Sequence, residues 1–312
     1  MFQQPLFLVA SERSGTTLLR LMLDSHPQLA WNEEFEFAVD YMPPAGGFPS
    51  IEDYHRALEH DFVFPASRFS IDRTLSYPEL LNSFLAQKLA RDKKPIIGAT
   101  VHRYFNRLLR VWPDARFIHL IRDGRDVAQS IMEMGWAGNA WRASLYWEEA
   151  ELDWDRLSRQ LPKDRSITVR FEDLVTHPTR VLEEICAFCG VSFNPAMLEY
   201  HRTSTYGPPD AKMVASWKRK MSVREVREVE SAVGPLLVQR GYALSGCPPL
   251  SLSRPMRALL KAHDTYGRLR FRIGRFGLNL VFQDILARRI NIRPWRERVQ
   301  LRLYEIERLY LK

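Results

Sequence analysis

The stretch from Pro5 to Asp24, PLFLVASERSGTTLLRLMLD, constrains the fold more than any other part of the chain. Leu6, Phe7, Leu8 and Val9 form an apolar run of strand length, bounded downstream by Ser11, Ser14 and Gly15, which predicts a buried strand followed by a polar loop. From Thr16 the apolar residues Leu18, Leu19, Met22 and Leu23 recur at helical spacing, so one helix face packs on a sheet while Arg20 and Asp24 face away. Ser14, Gly15 and Thr16 then sit at a helix N-terminus, where unpaired backbone N–H groups and the helix dipole attract an anion. Gly15 admits a close approach, and the Thr16 and Thr17 hydroxyls add donors. The local chemistry is that of a phosphate cradle; the plainer alternative is a helix capped after a core strand.

A nucleoside triphosphatase loop of this shape carries Gly-Lys-Ser/Thr, its lysine reaching the β- and γ-phosphates. Here Gly15 is followed by Thr16 and Thr17, and the cation lies on the other side of the glycine, as Arg13. A planar guanidinium suits phosphate or sulfonate oxygens. The stretch Arg13-Ser14-Gly15-Thr16-Thr17 resembles the 5′-phosphosulfate loop of sulfotransferases that use 3′-phosphoadenosine 5′-phosphosulfate (PAPS). Further on, Arg116 to Ile121 reads as a strand and Arg122-Asp123-Gly124-Arg125-Asp126 follows it directly. Val127, Ile131 and Met134 repeat at helical spacing, placing Ser130 eight residues beyond Arg122 and about two turns into a helix. An arginine at a strand end with a serine eight residues on resembles the pair that binds the 3′-phosphate in the same enzymes. Without that role, Arg122 would make a salt bridge to Asp126 or Glu133 and Ser130 would face solvent.

The resemblance covers residues 5 to 245 and is nearest to the bacterial sulfotransferase family related to tyrosylprotein sulfotransferases. It implies an α/β fold with a P-loop-like central parallel sheet flanked by helices, PAPS as co-substrate and no metal. It also implies in-line transfer of a sulfuryl group to an acceptor hydroxyl or amine. Arg13 is expected to steady the leaving oxygen. Glu34 matches, by its position after the first helix, the glutamate that acts as general base in the tyrosylprotein branch; an acidic surface cluster of Glu33, Glu34 and Glu36 is the alternative. His102 competes, since cytosolic sulfotransferases place a catalytic histidine after the corresponding strand. Two departures stand out. Many relatives carry a lysine near position 100, where this chain has Thr100 with Arg103 as a nearby cation, and often a tyrosine where it has Phe171. Ser216-Trp217-Lys218-Arg219-Lys220 resembles a loop that closes over the nucleotide, Trp217 offering a face for adenine and Lys218 and Arg219 charge; a solvated basic run is the alternative.

Further strands are expected at Leu29 to Trp31, Ile96 to Ala99 and Ser166 to Phe171, with helices at Tyr104 to Val111, Trp141 to Leu161, Pro178 to Cys189 and Ser222 to Gln239. Residues 41–95 read as an insertion, of the kind that walls an acceptor pocket. The three cysteines, Cys186, Cys189 and Cys247, complete no zinc site, and Cys186 and Cys189 read as packed residues of an intracellular, cytoplasmic chain. No run approaches the roughly 18 apolar residues of a membrane span.

The chain has 312 residues and a net charge of +8, unevenly spread. Residues 251–312 hold 15 Lys/Arg and 5 Asp/Glu, a net +10, which leaves −2 for the rest. A body of that sign argues against nucleic-acid binding. The expected organisation is a PAPS-dependent domain over 1–245 and a basic helical C-terminal extension over 246–312. That extension suits an anionic membrane surface or an acidic acceptor, with a homodimer contact as the alternative. Two other function classes remain: a P-loop nucleotide kinase, and a non-catalytic nucleotide-binding scaffold. The acceptor class is left open.

Overall fold

The apolar run Leu6–Val9 is continuous because it forms the central strand of a sheet covered on both faces. In the computed structural model, which describes residues 4–61, 63–290 and 292–308, five strands pair in the order β2-β3-β1-β4-β5. They are β1 (Leu6–Val9), β2 (Leu29–Glu34), β3 (Ile96–Val101), β4 (Arg116–Ile121) and β5 (Ser166–Arg170). All four pairings are parallel, so each connection needs a crossover, and helices cover the faces. Alternation sends Phe7 and Val9 into one core with Ala99, Val101 and Phe117, and Leu6 and Leu8 into the other with Trp31, Ile118 and Leu120. From β1 the chain winds to β2 and β3 on one side and to β4 and β5 on the other. The loops leaving β1 and β4 therefore part at a topological switch point, at the carboxyl ends where ligands bind in such sheets.

The structure divides into two compact units, residues 1–123 with 147–216 and residues 124–146 with 217–312. The first contains the whole sheet. Its segment 41–95 supplies the helices Ile51–Glu59 and Tyr77–Asp92, and Phe64, Phe69 and Phe84 close an aromatic cluster around Phe37. The Tyr54 hydroxyl donates to the Phe37 carbonyl (3.0 Å) and that of Tyr77 to the Ala38 carbonyl (2.8 Å). This segment thus pins the turn that follows β2. In the second unit the helix Arg254–Phe276 docks on the turn 135–139. The Gly138 N–H donates to Asp264 Oδ1 (2.7 Å) and Asn139 Nδ2 to the Leu260 carbonyl (2.7 Å). A Cβ on Gly267 would lie 2.4 Å from the Gly138 carbonyl oxygen, so the two backbones touch. Beyond it lie the helices Leu278–Ile290 and Arg293–Arg308.

Several boundaries differ from the sequence expectation for identifiable reasons. β2 continues to Glu34 because Glu34 pairs with Thr100 across a bulge and the Phe35 N–H donates to the Thr100 carbonyl (2.9 Å). The expected helix over 104–111 is a 3₁₀ turn at Phe105–Arg107 followed by one α-helical turn, Leu108–Val111. Tyr104 is left-handed there (φ 55°), with the Arg107 guanidinium 3.9 Å above its ring, and Asp153 accepts from the Phe105 N–H. The helix Val223–Gln239 begins as expected, in a capping box of Ser222 and Glu225. Cys186 and Cys189 are buried free thiols whose pKa values burial pushes up to about 11 and about 12, as suits packing.

Gly98 in β3 faces Trp31 of β2, and a Cβ there would lie 2.3 Å from the indole. Gly98→Ala should therefore overpack the sheet and cost about 1–3 kcal/mol. The check is a urea titration in which the midpoint falls while the slope m stays constant.

Candidate functional site

The loop between β1 and the helix Thr16–Asp24 is bent by two left-handed residues, Arg13 (φ 67°) and Gly15 (φ 96°). Gly15 is the N-cap and no side chain caps the helix, so its first-turn N–H groups lack the usual side-chain acceptor. A Cβ on Gly15 would lie 2.3 Å from the Phe171 ring, which makes glycine obligatory both for φ and for space. Arg13 has no such licence. A non-glycine residue in this region costs roughly 1–3 kcal/mol and persists where the surroundings enforce it.

Arg122 enforces it. Leaving β4, its Nη1 donates to the Arg13 carbonyl (3.1 Å) and its Nη2 to the Met213 carbonyl (3.3 Å), and its guanidinium lies 4.4 Å above the Phe171 ring. Arg122 and Phe171 are both buried. Phe171 opens the short helix Phe171–Thr176 at the end of β5, where the sequence reading noted only a missing hydroxyl. The structure makes it the shared floor of the Gly15 turn and the Arg122 fork.

On the other side of the cradle, Thr16, Thr17, Arg20, Glu33, Glu34, Thr100 and His102 line a small cavity of about 50 Å³. This is room for a functional group rather than a whole acceptor. His102, just past β3, contacts the Thr16 hydroxyl through Nε2 (3.0 Å) and Glu36 Oε1 through Nδ1 (2.6 Å). Glu36 Oε1 also accepts from the His102 backbone N–H (3.1 Å). Burial lowers the pKa of this imidazole, but the Glu36 carboxylate and its hydrogen bond, with smaller help from Glu12 and Glu34, outweigh that and leave it raised above 6.5. Glu34 is exposed at the cavity rim, yet the protein around its carboxyl removes enough water to raise its pKa. Glu36 adds to the rise, while His102 and Arg20 counter it.

The acidic run at 33–36 is thus three different environments. Glu33 is exposed and pairs with Arg20 (3.2 Å), Glu34 borders the cavity, and Glu36 is buried in the turn pinned by segment 41–95. Among the described residues Glu36 Oε2 has no hydrogen-bond partner. Sequence reasoning grouped Glu36 with its neighbours and missed its tie to His102, because that contact spans 66 residues. Arg103 is engaged elsewhere, Nε donating to Asp40 Oδ1 (2.7 Å) and Nη1 lying 3.5 Å from Glu12.

Ser130, Trp217, Lys218 and Arg219 belong to the second unit. Ser130 is half-buried on the helix Gly124–Glu133. The Trp217 indole is buried, with the Arg125 guanidinium 3.9 Å from the ring centroid, and the Trp217 N–H donates to Asp126 Oδ1 (2.7 Å). Lys218 and Arg219 are exposed. The first unit, by contrast, brings together Arg13, Ser14, Gly15, Thr16, Thr17, Glu34, His102 and Arg122 at the carboxyl ends of four neighbouring strands.

Comparison with known proteins gives the family and the fold. A profile of the sulfotransferase family matches residues 5–195, more than half the chain, and the chain belongs to that family. It is 24% identical over 277 residues to a protein-tyrosine sulfotransferase of Drosophila melanogaster, covering 78% of this chain and 52% of that protein. It is 22% identical to protein-tyrosine sulfotransferase 1 of Danio rerio, covering 78% of this chain and 74% of that one. The chain thus spans about half the length of the first relative. The fold is also that of a sulfotransferase domain from the curacin biosynthetic pathway, with a TM-score of 0.60, 18% identity, and coverage of 78% of this chain and 99% of that domain.

The Glu36–His102 contact has a measurable signature. In an NMR titration His102 should titrate above 6.5, and Glu36→Gln should bring its pKa down. Because the folded pKa is raised, the stability Glu36 adds through this contact is fully present below the unfolded value and is lost as pH rises through the folded one. Melting curves of the two proteins should therefore converge on the alkaline side; a difference that instead grew with pH would contradict the assigned contact.

Proposed function

We propose that the chain is a PAPS-dependent sulfotransferase that moves a sulfuryl group to an acceptor hydroxyl or amine by in-line displacement. The observation that carries this reading is the lysine-free cradle at Arg13–Thr17, which shares its Thr16 hydroxyl with His102 in a cavity bordered by Glu34. The helix N-terminus beside Gly15, which no side chain caps, fits the 5′-phosphosulfate end of the nucleotide. PAPS supplies the sulfuryl group and departs as adenosine 3′,5′-bisphosphate. Arg13, Thr16, Thr17 and the helix N-terminus hold the 5′ end, and Arg122 holds the 3′-phosphate. Ser130, Trp217, Lys218 and Arg219 are assigned to the nucleotide by sequence resemblance.

Glu34 takes the acceptor proton. It reaches the cavity from the rim, and a carboxyl with a raised pKa is a stronger base than an ordinary one. His102 is the alternative base, but the geometry suits it better to the other end of the reaction. Its Nε2 already contacts the cradle, and Glu36 favours the charged imidazolium, which neutralises developing charge and is a poor proton acceptor. Glu36 is then a positioning residue. A kinase reading lacks the loop lysine, since Thr16 occupies that place and its hydroxyl contacts His102.

The direct test is incubation of the purified protein with labelled PAPS and cell extracts, followed by mass spectrometry of sulfated products. Transfer of label with release of adenosine 3′,5′-bisphosphate is the expected result. Binding of ATP without binding of PAPS would favour the kinase, and nucleotide binding without turnover a scaffold. Arg122→Ala should weaken both nucleotides by loosening the Arg13 turn, and adenosine 3′,5′-bisphosphate by roughly 1.5–3 kcal/mol more than the 5′-monophosphate. Equal weakening would remove Arg122 from the 3′-phosphate.

Glu34→Gln should lower turnover ~10²-fold or more with little change in nucleotide affinity. The raised pKa means the ionised carboxyl opposes folding at neutral pH, so this variant should melt no lower than the parent. Normal turnover in Glu34→Gln, with loss in His102→Ala, would transfer the base role to His102.

A further inference from the structure

The C-terminal helices carry a surface that the proposed chemistry does not use. Between residues 251 and 296 the chain has eleven Lys/Arg and two acids, Asp264 and Asp284. Both acids are turned inward. Asp264 is buried against Gly138 and Arg268 (3.0 Å), and Asp284 is fully buried between Arg272 (2.6 Å) and Arg288 (3.0 Å). Among the described residues of this span no acidic side chain is exposed, whereas Arg257, Lys261, Arg270 and Arg289 are.

The same surface is apolar between its charges. In the helix Leu278–Ile290, Val281, Asp284 and Ala287 face inward, while Leu278 (68% exposed), Phe282 (57%) and Ile285 (38%) line the opposite face at spacings of four and three, with Arg289 next in the row. The helix Arg254–Phe276 adds exposed Leu259 and Tyr266. Among the described residues, eight of the seventeen large exposed apolar side chains fall between residues 251 and 296. A surface built only for solubility would mix charge signs and hide its apolar groups.

We propose that this face lies on an anionic bilayer, with Leu278, Phe282 and Ile285 entering the boundary between headgroups and acyl chains and the flanking arginines meeting lipid phosphates. Charge complementarity selects the occupant. A second copy would bring one cationic face against another. A nucleic acid would satisfy the arginines but leave the aliphatic stripe against a polar backbone. An anionic membrane takes both components, the apolar row through burial and the arginines through the surface potential. Among the described residues no helix is long and apolar enough to cross a membrane, so the contact is an interfacial one.

The experiment is co-sedimentation of the full chain with vesicles of phosphatidylcholine alone and of phosphatidylcholine mixed with phosphatidylglycerol. Binding should require the anionic lipid and fade as salt rises from about 0.05 M to about 0.5 M. Phe282→Ser combined with Ile285→Ser, both at exposed positions, should weaken it at least ~10-fold without changing the melting temperature. Arg270→Glu with Arg289→Glu should weaken it further. Four results would overturn the proposal: no sedimentation at low salt, equal sedimentation with neutral vesicles, retention on polyglutamate or DNA but not on vesicles, or stripe variants that alter only self-association in analytical ultracentrifugation. None bears on PAPS turnover, so the catalytic reading stands or falls separately.

Discussion

The contact on which the site depends is a flat one: the Phe171 ring, with the Gly15 turn against it and the Arg122 guanidinium 4.4 Å above it. Three strands meet there, since Gly15 follows β1, Arg122 follows β4 and Phe171 follows β5. The ring occupies the space that a side chain at Gly15 would need, and so packs directly on the turn before the helix. Arg122 lies on the ring and reaches the Arg13 carbonyl, holding a non-glycine residue in a left-handed conformation. An arginine suits this post better than a lysine because a planar fork both stacks and donates in two directions. A tyrosine in place of Phe171 would set a hydroxyl into this contact. The chain instead keeps an apolar floor under the Gly15 turn and Arg122.

Parallel strand order brings the other half of the site. β2 and β3 lie to one side of β1, and their carboxyl ends deliver Glu34 and His102 to the flank of the cradle that Arg122 does not occupy. His102 is held by Glu36, which comes from a turn tied to segment 41–95 through the Tyr54 and Tyr77 hydroxyls. The segment that reads as an insertion is thus part of the core that fixes the imidazole. A change among its buried aromatics would be felt at His102 with no residue of the cavity altered.

The strands and the loop motifs proposed for the nucleotide were legible in the sequence because their signals are local. Arg13 to Thr17 is a contiguous motif, Arg122 and Ser130 are separated by a fixed number of helical residues, and the apolar runs of β1 and β4 are unbroken. The parallel sheet followed from the recurrence of strand, loop and helix, whereas its strand order needed coordinates. Partnerships across the chain were not legible. Glu36 looked like one of three surface acids because nothing in E-E-F-E distinguishes the one that turns inward; only the bulge at Glu34 and the 3₁₀ turn after it do so. Phe171 was noticed for the hydroxyl it lacks, and its packing role needed coordinates. Trp217 looked like an open face for adenine, whereas its ring is buried with Arg125 above it. The tail was readable as basic and helical, but not that Asp264 and Asp284 would both face inward.

The charges around the cavity follow one logic. The proposed reaction holds a nucleotide carrying several negative charges beside a carboxylate that is to accept a proton, and these two demands oppose each other. In the first unit the His102 side chain touches Thr16 of the loop and lines the cavity that Glu34 borders. Glu36, buried behind His102, favours the imidazolium; the ring bridges the Thr16 hydroxyl and Glu36 and lines the same cavity as Glu34, whose pKa it lowers against the stronger effect of burial. Under the proposed reaction, negative charge grows on the leaving oxygen as the proton moves to Glu34. An imidazolium at the cradle stabilises the first change. A neutral residue at position 36 would remove the field that raises the His102 pKa, and the leaving-oxygen end of the proposed reaction would lose by it. The Glu36 carboxyl, which touches neither end, therefore has the widest influence on the electrostatics of the site.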